Sequence, residues 1–85
     1  MSARMTILAA ALLHTSVSAA AADCAAAIAT FEAIISSDAE TGNLHKGVHR
    51  RIVAELTGVK ASCTAGRDAE ASRALAGVKA RHGYR

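Results

Sequence analysis

The sequence has no proline and no tryptophan, and its aromatic content is one phenylalanine and one tyrosine. Strand-type alternation of apolar and polar residues is absent, while alanine is abundant, so the chain reads as all-α. No aromatic side chain is interleaved with the cations to stack on bases, which argues against nucleic acid as a partner. No G-x-S-x-G elbow, glycine-rich phosphate loop or H-E-x-x-H helix occurs, so neither an enzyme nor a cofactor is expected. Acidic residues are missing until Asp23, and that absence points to an export signal.

Arg4 supplies the positive start of that signal, Met5 to Leu13 its apolar run, and Val17-Ser18-Ala19 a small-x-small cleavage pattern. Ala20-Ala21-Ala22 offers further positions, so the cut is expected between residues 19 and 22. The run is too short for a spanning helix, which needs about 20 apolar residues. Asp23 before Cys24 does not suit a lipid-modified cysteine, and a single arginine does not suit a mitochondrial presequence. The expectation is a cleaved secretory signal over 1–22, a bacterial periplasmic or secreted location, and at most peripheral membrane contact. One small domain over 23–85 remains, with nine basic and seven acidic residues. A net charge that small favours solubility without naming a partner.

Three helical segments are separated by glycine stops. Asp23 is placed to cap the first, in which Cys24, Ile28, Phe31 and Ile35 share one face, widened by Ala27 and Ile34, and Gly42 closes it. Asn43 is placed to cap the second, whose apolar series is Leu44, Val48, Ile52, Leu56, Val59 and Cys63, with Val53 facing away. Gly47 and Gly58 each weaken that helix by about 1 kcal/mol, and Gly66 ends it. The third starts near Asp68, carries a thin core face of Ala71, Ala74, Leu75 and Val78 that His82 extends, and ends at Gly83, with Tyr84 folding back on the last turn.

The only two cysteines are Cys24 and Cys63, centred on the Gly42-Asn43 turn. If the first two helices run antiparallel, both sulfurs fall at the same end, and a disulfide staples the hairpin. The chain-entropy estimate for such a loop is about 4 kcal/mol, an upper figure. Small exported domains need such a staple. The expected fold is therefore a signal peptide followed by a stapled antiparallel hairpin with a third packed helix, a small three-helix bundle.

The residues that carry chemistry are few. His45 and His49, one turn apart, can ligate Zn²⁺ or Cu²⁺, although the spacing lacks a third ligand unless Glu40 or His82 is brought in; the competing reading is two histidines beside a turn. Lys46, Arg50 and Lys60 fall on the outward face of the second helix with Arg51 nearby, a basic surface for an acidic partner, phosphate or anionic lipid, or simply a solvated face. Glu55, at the edge of the apolar stripe, needs a cation, for which Arg51 and Arg73 are the candidates. The run Cys63-Thr64-Ala65-Gly66-Arg67-Asp68-Ala69-Glu70-Ala71, closing at His82-Gly83-Tyr84-Arg85, resembles the ending of small exported bacterial two-cysteine helical proteins of unassigned function. That resemblance implies a bacterial envelope role and carries over no active site. The function expected is a non-catalytic module that binds an unknown envelope or extracellular protein, with metal binding through His45 and His49 as the alternative.

Overall fold

A computed structural model describes residues 23–85; residues 1–22, where an export signal is expected, lie outside the described residues. Those residues form three helices and no strand: α1 over residues 23–40, α2 Lys46–Thr64 and α3 Asp68–Arg81. Asp23, expected as the cap of α1, is itself helical.

Each helix buries its periodic face. Cys24, Ile28, Phe31 and Ile35 of α1, Ile52, Leu56, Val59 and Cys63 of α2, and Ala71, Leu75 and Val78 of α3 make one apolar cluster. Leu44, Val48, Ala74 and Tyr84 pack against it partly buried. Two expected members of the α1 stripe are not in it: Ala27 is exposed and Ile34 is 45% exposed. Ala27 borders Asp68, Ala71, Ser72 and Leu75 of α3, whereas Ile34 has only α1 residues around its exposed side. Val53 is exposed, as its position off the stripe predicts.

Cys24 and Cys63 form the disulfide, with Cα atoms 6.0 Å apart across 39 residues of sequence. The carboxylate of Asp68 lies 4.0 Å from the Cys24 sulfur; a disulfide sulfur carries no proton, so this is a contact and not a hydrogen bond.

Both α2 and α3 end in Schellman motifs. After α2, Gly66 N–H donates to the Cys63 carbonyl and Arg67 N–H to that of Ser62. After α3, Gly83 N–H donates to Ala80 and Tyr84 N–H to Lys79. The motif needs a left-handed residue, and Gly66 and Gly83 supply it with φ of +79° and +77°. At the end of α1, Gly42 has φ +83°. There it is Leu44 N–H, not that of Asn43, that returns to the Asp38 carbonyl. Residues 43 and 44 therefore stay in the turn, and α2 starts later than the sequence suggests.

Candidate functional site

The start of α2 corrects the expected cap. His45, not Asn43, occupies the position, with extended backbone (φ −60°, ψ 137°), and its Nδ1 accepts the Gly47 N–H at 3.0 Å. Gly47 is what admits this cap, because a Cβ there would lie 3.2 Å from His45 Nδ1. A glycine that looks like a helix weakness in the sequence is thus part of the helix start. The first turn of α2 contains no acidic residue, whereas α3 has Asp68 and Glu70 at its start and Lys79 and Arg81 at its end. Charges on α3 complement the helix dipole; those at the start of α2 oppose it.

Lys46 and Arg50 line an open groove of about 520 Å³ with His49 of α2 and Ser36, Ala39 and Glu40 of α1. This groove sits where the end of α1 meets the start of α2. Lys60 does not share the free outward surface foreseen for it: its Nζ bonds Glu32 of α1 at 2.6 Å. Its part of the α2 surface therefore borders α1. Arg51 is exposed about 100° around the helix from Arg50. The Nε2 of His49 is buried without a hydrogen-bond partner among the described residues. His45 has its Nδ1 occupied by the cap, and among the described residues no group of three or more His, Cys, Asp or Glu side chains is placed to hold a metal ion.

Glu55 corrects a second expectation. Neither Arg51 nor Arg73 pairs with it; Arg81 and His82, at the end of α3, do. Arg81 donates from Nε (2.9 Å) and Nη2 (2.6 Å) to Oε1, while His82 Nε2 lies 2.7 Å from Oε2. The hydrogen bonds from His82 and then Arg81 hold the Glu55 carboxyl below its usual 4.5, against the desolvation that pushes it up. Helical side chains lean toward the N-terminus, so Arg81 reaches back over Gly77, where an added Cβ would meet its Nη1 at 3.3 Å. Gly77 leaves the guanidinium its path to α2. His82 extends the core face as expected, with a side chain only 13% exposed, but its ring end is polar and paired.

Tyr84 goes further than a fold-back on its own helix. Its ring stands edge-on to Phe31 of α1 with centroids 5.3 Å apart at 82°, and its hydroxyl donates to Asp38 Oδ2 at 2.7 Å. The hydrogen bond to Asp38 and burial push the phenol from 10.0 up to about 12. Lys79 Nζ lies 5.8 Å from the centroid of the same Phe31 ring. The last turn of α3 thus grips α2 through Glu55 and α1 through Phe31 and Asp38.

No helix among the described residues is long and apolar enough to cross a membrane. Compared with known proteins, the chain matches no family model, no curated protein and no solved structure.

Proposed function

We propose that residues 23–85 are an exported, non-catalytic helical module, a disulfide-stapled antiparallel hairpin with a third packed helix, that binds a protein partner in the bacterial envelope or outside the cell. The hairpin reading draws support from the Cys24–Cys63 disulfide and from the Lys60–Glu32 pair, which tie α1 to α2 at two levels. A core common to all three helices supports the third element. Export rests on the composition of residues 1–22.

The binding reading rests on one observation. Lys46, Arg50 and Arg51 are exposed on α2 and form no ion pair with any described residue; Arg73, Lys79 and Arg85 are also without an ion pair but scattered, while Lys60, Arg67 and Arg81 are paired. Three unpaired cations close together near one helix start present a surface for an acidic partner. The test has two parts. The intact mass of the exported protein should lack Met1 through roughly Ala19 to Ala22 and stand two hydrogens short until reduced. Oxidised protein should capture an envelope protein, and capture should fall sharply for a variant carrying Arg50→Glu and Arg51→Glu. A full-length mass removes the export reading, and undiminished capture removes the basic face.

A further inference from the structure

Three unfavourable choices meet at the first turns of α2. Lys46 and Arg50 lie at i, i+4, where like charges repel, and they stand at the positive end of the helix dipole without a first-turn acid to offset it. The cap is a histidine instead of the short polar residues that serve best, and it requires a glycine two residues on. His49 Nε2, one turn after the cap, is withdrawn from water and given no partner. Lys46, Arg50 and His49 line the groove between α1 and α2, whereas the His45 cap lies outside its lining, and α3 starts without any side-chain cap, at Arg67. Places where a chain breaks its local rules without a structural return are where function is to be sought. Glu40 lines the same groove yet makes no ion pair with Lys46 or Arg50, so their charge is not neutralised from within.

From this we infer that the groove formed by Ser36, Ala39, Glu40, Lys46, His49 and Arg50 is the docking site proper, and that its occupant is an acidic protein segment seating a carboxylate side chain between Lys46 and Arg50. The inference rests on the basic-face reading above and narrows it. The complement is chemical: a carboxylate accepts from both cations and sits favourably at a helix start. Arg51 and Lys60 are outside the contact, the first by its place around the helix and the second because Glu32 holds it.

Calorimetric titration of the oxidised mature chain with a glutamate-rich peptide tests this. Saturable binding is expected, weakening as salt rises. Lys46→Gln with Arg50→Gln should weaken it about tenfold, the product of two exposed charge contacts. Glu40→Gln should tighten it by removing a like charge from the rim, and Arg51→Gln should leave it within about twofold. Lys46 and Arg50 are exposed, so the double variant keeps the core, which its circular dichroism checks. Loss on Arg51→Gln equal to that of the double variant overturns the groove and leaves the wider basic face standing. Peptide binding absent while phosphatidylglycerol vesicles bind overturns the protein-segment occupant. Binding of neither overturns the inference outright, and envelope capture then judges the broader reading by itself.

Discussion

Tyr84 is the only tyrosine, and the chain has no tryptophan, so phenolate absorbance reports this one side chain. Its hydroxyl donates to the Asp38 carboxylate at 2.7 Å, and deprotonating it would set two negative charges against each other in a partly buried site. The phenol is accordingly pushed up to about 12 from 10.0. A folded pKa above the unfolded one means stabilisation that is complete below about pH 10 and lost as pH rises through about 12. Taken at face value the change corresponds to a ceiling of about 2.7 kcal/mol. Water reaches this site and screens the pair, so Tyr84→Phe, which keeps the edge contact with Phe31, should cost about 1 kcal/mol in denaturant unfolding near neutral pH. The assay is a spectrophotometric pH jump on the oxidised protein, read before it unfolds. The wild type should titrate near 12, and Asp38→Ala should bring the midpoint back toward 10.0. An ordinary midpoint in the folded wild type, or no change on Asp38→Ala, refutes the idea that the last turn of α3 is tied to α1 by this bond.

Glu55 should make the domain acid-sensitive in the opposite sense. Its carboxyl is held below 4.5, so its stabilisation is present above that value and lost as pH falls through the lowered one; Glu55→Gln should flatten that part of a melting-temperature profile. Leu56 is fully buried, and Leu56→Ala should cost about 3 kcal/mol, a large share of what so small a domain possesses, whereas Ile34→Ala, at 45% exposure, should change unfolding by less than about 0.5 kcal/mol. The two inner glycines of α2 should separate in the same assay. Gly58 has nothing within 4 Å of an added Cβ, so Gly58→Ala should stabilise by about 1 kcal/mol, while Gly47→Ala crowds the His45 cap and should gain nothing. Equal gains at both positions would show that the His45 cap contributes nothing to the start of α2.

The core of α2 was legible because Ile52, Leu56, Val59 and Cys63 recur at helical spacing, and period alone assigns their face. The disulfide followed from symmetry about the first turn. Where reading failed, the missing information was the position of one helix against another. Ile34 and Ala27 continue the α1 stripe in sequence, but the face that α1 buries against α2 and α3 is narrower than that stripe. Asn43 is the better capping residue by type, and it loses the position because Leu44 N–H is drawn back to Asp38. For Glu55, counting from the Gly66 turn places its partner near residue 77, where the sequence offers only a glycine. The cation comes from one turn further on, leaning back over that glycine. A glycine four residues before an arginine was the available signal, and it is visible only once side-chain direction is considered.

The same reasoning explains why the candidate site was half visible. Type and spacing singled out Lys46, Arg50, Arg51 and Lys60 together, yet spacing cannot tell a cation that is spent from one that is available. Glu32 takes Lys60, so the salt bridge that fastens α1 to α2 also subtracts a charge from the surface. Near the other end of the same helix pair, Glu40 stands beside Lys46 and Arg50 in the groove without pairing with either. One helix interface thus neutralises its charge at the Lys60 level and leaves it open at the α2 start. Stability alone would favour an acid in that first turn, as α3 has in Asp68 and Glu70. A chain of 85 residues with so thin a core has little stability to forgo. The unneutralised start of α2 is therefore the feature of this fold that the proposed acidic segment would complement.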